Sequence, residues 1–215
     1  MKPHTRLRVL IADDHAIVRQ GLRQILSETD DLEVAGEAEN GVKALQMLRE
    51  QPWDVVLMDI SMPERNGIDA LKMIRKELPR LPVLILSIHP EDQYAVRALR
   101  AGAAGYLSKQ SAPEQLVTAI RQVASGKKYV SPAVAEVLAN AVLEDGDRPL
   151  HDKLSDREFQ TLRLIASGCT PAQIAEALNI SVKTVSVYRA RLLEKMNMRN
   201  NAELTHYGIR HGLVD

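Results

Sequence analysis

The sequence predicts an α/β domain built on a parallel sheet, followed by a small all-α domain, and three observations carry that expectation. Strand and helix signals alternate five times across residues 7–126. Turn residues stand where the pattern changes, at Asn40-Gly41, Asn66-Gly67 and Ala101-Gly102. From Leu154 onward every signal is helical. Regular strand–helix alternation implies right-handed crossovers and helices on both faces of the sheet.

The strand-like runs are 7–12, 32–36, 55–60, 83–88 and 104–107. Between them lie amphipathic patterns: Val18, Leu22, Ile25 and Leu26; then Val42, Leu45 and Leu48; then Ile68, Leu71 and Ile74. Tyr94, Ala98 and Leu99 mark a fourth, and Leu116, Val117, Ile120 and Val123 a fifth, closed by Gly126. Ser131-Pro132 opens a short helix carrying Val134, Val137, Leu138 and Val142, with proline in the favourable first turn. It runs into the polar 144–149, an exposed linker by composition.

Each later helix declares its own ends. Ser155 and Glu158 form a capping-box pattern ahead of Phe159, Leu162, Ile165 and Ala166, and Gly168 stops that helix. Thr170, Pro171 and Gln173 begin a second helix that buries Ile174, Ala175 and Leu178 and ends at Asn179. Ser181 caps a third, with an inward stripe at Val185, Leu192 and Met196; a fourth, from Asn201, carries Leu204, Tyr207 and Ile209. Two short helices joined through Asn179-Ile180-Ser181 make a helix-turn-helix. The expected division is therefore 1–127 for the α/β domain, 128–152 for a linker with a short helix, and 153–215 for the helical domain, with its helix-turn-helix at about 170–196.

Composition sets outer bounds. The 215 residues, 45% of them apolar, suffice for one large or two small cores. No apolar run approaches a membrane span, and the first residues lack the pattern of a secretory signal. The single cysteine, Cys169, cannot close an intrachain disulfide, so a reducing cytoplasm and a small buried side chain are expected. Histidines 4, 15, 151, 206 and 211 show no zinc-ligand spacing, and no structural metal is expected. Zero net charge hides a local imbalance: residues 182–200 hold Lys183, Arg189, Arg191, Lys195 and Arg199 against Glu194. One anion-facing element follows.

Four strand-like runs end in chemistry: Asp13-Asp14, Asp59, Ser87 and Lys109. In an open parallel sheet ligands bind at the carboxyl edge. The set suits phosphoryl acceptance. Asp59 is the oxygen nucleophile, expected to project unpaired from its strand end. Asp13, Asp14 and Asp59 offer Mg²⁺ hard oxygen ligands. Lys109 balances charge on the transferring oxygens, and the Ser87 hydroxyl recognises the product. His89 reads as a solvent-facing loop residue rather than a base.

With these residues in place, the segments Ile11-Ala12-Asp13-Asp14-His15, Leu57-Met58-Asp59-Ile60-Ser61-Met62-Pro63, Ile85-Leu86-Ser87 and 101–109 resemble the receiver domain of two-component response regulators. The resemblance covers 7–126. It implies a flavodoxin-like, doubly wound sheet of order 2-1-3-4-5 and phosphoryl transfer to Asp59 from a phosphohistidine on a sensor histidine kinase. It also implies Asp13 and Asp14 as Mg²⁺ ligands, with the backbone carbonyl of Ser61 as a further one. Ser87 and Tyr106 become a switch pair, the ring rotating inward; taken alone, Tyr106 reads as a half-buried aromatic.

On the third C-terminal helix the face opposite the apolar stripe presents Lys183, Val187, Ala190 and Glu194, flanked by Ser186 and Arg191. Small Ser186, Val187 and Ala190 allow approach to base edges in a major groove. Lys183, Thr184, Arg189 and Arg191 can reach phosphates, as can the Tyr188 hydroxyl. Residues 154–158, Ile174-Ala175, Leu178, Ile180-Ser181, Thr184-Val185 and Asn201-Ala202-Glu203-Leu204 resemble the LuxR/FixJ/NarL-type helix-turn-helix. Many members of that group carry Lys and His where Ser186 and Tyr188 stand here, which bears on which bases are read.

The expectation is a cytoplasmic response regulator, homodimeric when phosphorylated, that binds double-stranded DNA and regulates transcription. It needs no membrane and catalyses nothing beyond gain and loss of its own phosphoryl group. Two rivals are a metal-dependent phosphotransferase or phosphatase with a helical cap, and a constitutive DNA-binding protein with a vestigial receiver. The chain offers no second general acid beside Asp59, and the set Asp13, Asp14, Asp59, Ser87 and Lys109 is intact.

Overall fold

The computed structural model describes residues 6–63, 65–88, 91–143 and 149–214. His4, His89 and most of the 144–149 linker fall outside them. The chain divides into two compact units, residues 1–141 and 142–215.

In the first unit strands β1 (Leu7–Ala12), β2 (Leu32–Ala38), β3 (Val55–Asp59), β4 (Val83–Ser87) and β5 (Gly105–Ser108) form one sheet of order β2-β1-β3-β4-β5. Every pairing is parallel. Helices α1 (Ala16–Ser27), α2 (Gly41–Glu50), α3 (Gly67–Glu77) and α4 (Glu91–Arg100) supply the crossovers, and α5 (Pro113–Ala124) follows the last strand. The fold is the doubly wound α/β sheet that the alternation predicts. β3 and β4 are buried along their whole length, as strands covered on both faces must be. One face packs Val9, Ile11, Val55, Leu57, Leu84, Leu86 and Leu107 against Leu26 of α1 and Leu116, Ile120 and Val123 of α5.

β2 runs two residues beyond its apolar signal. The register against β1 slips after Val9, so Leu10 faces Gly36 rather than the next residue in step. A Cβ at Gly36 would lie 2.6 Å from the Trp53 ring and 2.5 Å from the Met47 methyl, so only glycine lets that ring close the sheet here. Beyond α5, Tyr129 bridges to Gly105, and α6 spans Pro132–Leu143 with Val134 fully buried. The first unit therefore continues past residue 127.

In the second unit a 3₁₀ turn, Leu150–Lys153, is followed by α7 (Asp156–Ala166), α8 (Pro171–Ala177), α9 (Val182–Lys195) and α10 (Asn201–Arg210). Both capping boxes form: Ser155 with Glu158, and Thr170 with Gln173. Phe159, Leu162, Ile174, Val185, Leu192, Met196 and Leu204 make the core. The turn between α8 and α9 depends on Asn179 at φ 51°, with the Ile180 amide donating to the Ala175 carbonyl at 2.9 Å. Asparagine tolerates that left-handed conformation better than most residues, which suits it to end a helix.

Ile209 departs from expectation. It is 57% exposed, and the inward position beside it belongs to Gly208, where a Cβ would lie 2.7 Å from that of Ala166. Close approach of α7 and α10 leaves no room for a side chain there. Cys169 is half-buried rather than buried.

Candidate functional site

Three parallel strands deliver the acidic pocket. Asp13 follows β1, Asp59 is the last residue of β3, and Lys109 follows β5. Their side chains meet: Lys109 Nζ lies 2.6 Å from Asp13 Oδ2 and 3.1 Å from Asp59 Oδ1. Asp13 and Asp59 are almost wholly buried. Asp59 does not project unpaired, as the sequence suggested; the Ser61 amide also donates to its Oδ2 at 3.2 Å. A buried carboxylate needs such partners, and the lysine returns from a strand far away in sequence. Nor is Lys109 a solvated surface charge, its side chain being 11% exposed.

Asp14 sits at the rim, its Oδ1 2.8 Å from His15 Nδ1. Ligand atoms of Asp13, Asp14, His15 and Asp59 all lie within 4.8 Å of one another. Three carboxylates thus face one ammonium. Burial pushes the Asp59 carboxyl up; Lys109 opposes this, while Asp13 and Asp14 add to it. Burial works to lower Lys109, yet Asp59 and Asp13 outweigh it and its pKa is raised. The pocket carries an excess of negative charge on hard oxygen donors, the chemistry that fits a divalent cation such as Mg²⁺.

Ser87 ends β4 one residue past Leu86, the register partner of Asp59. Tyr106 pairs with Ile85, and Ser87 with Ser108. Partners in register share a face, and so do residues two apart, so Ser87 and Tyr106 lie on one side of the sheet. The Lys109 amide donates to the Ser87 carbonyl at 2.8 Å, tying the two strand ends together. Tyr106 is fully buried, not half-buried; its ring is already inside.

Several contributors escaped sequence reasoning. A Cβ at Gly67 would fall 1.9 Å from the Asp59 carbonyl oxygen, so α3 can start against the end of β3 only with glycine there. Asn66 caps that helix through the Asp69 amide at 2.8 Å. Asn66-Gly67 had signalled a turn, but nothing local revealed what it turns against. Arg19 of α1 donates to the Asp13 carbonyl at 2.7 Å, a contact no periodicity announces.

In the second unit α9 carries its stripe, Val185, Leu192 and Met196, inward. Lys183, Ser186, Val187, Ala190 and Arg191 are exposed, while Thr184, Tyr188 and Arg189 are half-buried. Thr184 and Ser186 hydroxyls are engaged locally, at 2.8 Å from Ser181 Oγ and 3.1 Å from the Val182 carbonyl. Arg189 Nε donates to Asn201 Oδ1 at 2.6 Å, which ties α9 to the start of α10. Lys195 Nζ lies 2.7 Å from Glu158 Oε2. The local basic excess is accordingly smaller than its residue count, and Lys183 and Arg191 are the exposed cations of α9 without an ion pair among the described residues. Among the described residues no helix is long and apolar enough to cross a membrane.

Comparison with known proteins agrees with both units. Residues 9–121 match the family model of the response regulator receiver domain, and residues 152–208 match that of the bacterial regulatory proteins of the luxR family. The chain is 40% identical to the response regulator UvrY of Escherichia coli K12, over 97% of this chain and 96% of UvrY. It is 38% identical to the response regulator GacA of Pseudomonas aeruginosa, over 97% of this chain and 98% of GacA. Among solved structures it resembles RcsB of Salmonella enterica serovar Typhimurium bound to the rprA promoter in the presence of phosphomimetic BeF₃⁻. That match has a TM-score of 0.63 at 28% identity and covers 94% of this chain and 98% of RcsB.

Proposed function

We propose, from the premise that this chain belongs to the two-component response regulators joining a receiver domain to a LuxR-type helix-turn-helix, that Asp59 is the phosphoryl acceptor whose state sets dimerisation and DNA binding. The observation that carries the reading is the buried Asp59 carboxyl sharing Lys109 with Asp13 in a pocket of excess negative charge.

An Asp59 oxygen attacks phosphorus in line on a phosphohistidine of a sensor histidine kinase. The P–O bond forms as the P–N bond breaks, and the leaving imidazole keeps the electron pair and takes up a proton. Asp13, Asp14 and Asp59, with the Ser61 carbonyl, would hold Mg²⁺, which when bound neutralises the equatorial phosphoryl oxygens. Lys109, already against Asp59, turns its ammonium to the same oxygens. Transfer converts the Asp59 carboxylate into an acyl phosphate, and the Ser87 hydroxyl donates to it. Tyr106, on the same face, adjusts to the displaced Ser87 and biases the adjoining surface toward a second copy. Similarity to RcsB, solved on promoter DNA and as dimers on two DNAs, supports a DNA-bound dimer here.

In the output domain Lys183 and Arg191 contact phosphates, with Thr184, Tyr188 and Arg189 beside them, and Ser186, Val187 and Ala190 face base edges. The chain turns over no substrate beyond its own phosphoryl group, and it works in the cytoplasm, where kinase output and DNA are both accessible. Labelling by a small acyl phosphate in Mg²⁺ tests the assignment. Wild type gains one alkali-labile phosphoryl group and Asp59→Asn gains none; undiminished labelling of that variant refutes the acceptor.

A further inference from the structure

We infer that Arg19 is a positioning residue for the acidic pocket: anchored by Glu37, it fixes the peptide between Asp13 and Asp14 and so sets the affinity of those carboxylates for a divalent cation. The inference rests on reading that pocket as the phosphoryl site.

Arg19 lies in the first turn of α1, and its amide donates to the His15 carbonyl at 3.2 Å. Helical side chains lean toward the N-terminus, which brings its guanidinium back over the loop that carries the carboxylates. There Nη1 donates to the Asp13 carbonyl at 2.7 Å, and Nε donates to Glu37 Oε2 on β2 at 3.0 Å. Arg23, one turn further along α1, grips the other oxygen of Glu37 from its Nε at 2.9 Å. Burial works to raise the Glu37 carboxyl, but hydrogen bonds from Arg23 and Arg19 prevail and hold it below the usual carboxylate range. The anchor is therefore charged.

The geometry separates two jobs. The Asp13 carboxylate has its own restraints, from the His15 amide at 2.9 Å and from Lys109. The Asp13 amide is tied to the Ala38 carbonyl at 3.0 Å. The plane of the next peptide carries the Asp14 amide and aims that rim carboxylate, whose own contact is with the exposed His15 ring at 2.8 Å. Arg19 grips that plane. It meets the loop at a backbone carbonyl and not at a carboxylate, with its Nε committed to Glu37, so its contribution is orientation. Outer partners that orient ligands typically change metal affinity by about 10–100-fold when removed.

The test uses the full chain and Mg²⁺ alone, with binding followed by calorimetry and acyl-phosphate labelling rates measured across a Mg²⁺ series. Arg19→Met keeps the stem and removes the donors. It is expected to weaken Mg²⁺ binding by about 10-fold or more, while the labelling rate at saturating Mg²⁺ stays near wild type. Glu37→Ala should weaken binding in the same direction, and the double variant should be no worse than Arg19→Met, because Glu37 acts through Arg19. Wild-type Mg²⁺ affinity in Arg19→Met, or a labelling rate depressed equally at every Mg²⁺ concentration, overturns the inference. Should Arg19→Met fail to fold, Glu37→Ala decides alone: unchanged affinity overturns it, weakened affinity with an intact saturated rate supports it. If wild type itself neither binds Mg²⁺ nor labels at Asp59, the proposed function falls first. If wild type does both while the variants match it, the inference alone falls.

Discussion

The two units treat a buried acid in opposite ways. In the receiver, Asp59 and Asp13 share one ammonium, Asp14 adds a third carboxylate, and the Asp59 carboxyl is pushed up by burial against the pull of Lys109. In the output domain Glu158 is just as buried, yet it accepts from the Ser155 amide at 2.8 Å and pairs with Lys195 at 2.7 Å. Burial alone would raise Glu158, but Lys195 and Ser155 outweigh it and hold its carboxyl low. A buried acid whose partners are complete belongs to the scaffold. One left in a negative pocket calls for positive charge, which a divalent cation would supply.

The comparison can be broken most severely through the output core. Leu192→Ala, which empties a fully buried position on α9, should destabilise that domain by about 2–5 kcal/mol. DNA binding should be lost while Asp59 still labels. A parallel loss of labelling, measured on the same preparation, would show that the phosphoryl site depends on the output core and would undo the contrast.

The next effect follows from the opposed shifts. Asp59 has a folded-state pKa above its unfolded value, so without divalent cations its ionisation costs stability. That cost is absent below about pH 3.9, the unfolded value, and grows as pH rises through the folded one. Asp59→Asn should therefore raise the melting temperature at neutral pH, by about 2–4 °C for each kcal/mol recovered, and the gain should vanish in acid. Glu158 has the opposite sign. Its stabilisation is present above its unfolded value of about 4.3 and is lost as pH falls through the lower folded one. Glu158→Gln should cost stability at neutral pH and cost nothing once wild-type Glu158 is itself protonated. Thermal melts of both variants in chelator from pH 3 to 8 check the signs; two curves of the same sign would dissolve the distinction.

Much of this contrast was legible in sequence, and the part that was not has a common cause. β1 and the starts of β2, β3 and β4 follow directly from apolar runs, and the acids stand at strand ends because parallel strands all point one way. Helix starts at Ser155, Thr170 and Ser181 are local hydrogen-bond patterns, so sequence carries them whole. Partnerships between distant residues left no local trace. Lys195 counts as a free cation until Glu158 is seen beside it. Asp59 looks unpaired until Lys109 arrives from a strand fifty residues later. Ile209 carries an inward pattern, but the close approach at Gly208 displaces it to the surface. Tyr106 sits fully inside because β5 has a neighbouring strand and covering helices that its own four residues do not reveal.

A smaller effect sharpens the output side. Lys183 and Arg191 are exposed cations of α9 with no ion pair among the described residues, so replacing either by Ala should weaken binding to all duplexes alike and reduce the log–log salt slope by about one unit. Lys195→Ala should leave that slope nearly unchanged, because its charge is spent on Glu158. An equal slope change for all three, in a salt series on a nonspecific duplex, would mean that the Glu158 pair opens when DNA binds.

The central claim, that charge placed on Asp59 is read out at α9, is tested most directly by comparing the affinity of phosphorylated and unphosphorylated full chain for DNA fragments selected with the phosphorylated protein. Protein concentrations must span dimer dissociation, and mass spectrometry should establish the labelled fraction. Phosphorylation is expected to tighten binding by about 5–150-fold, the usual range of coupling between sites, with dimerisation tightening alongside, while Asp59→Asn shows neither change on treatment. Equal affinity of labelled and unlabelled wild type across that range would contradict the account.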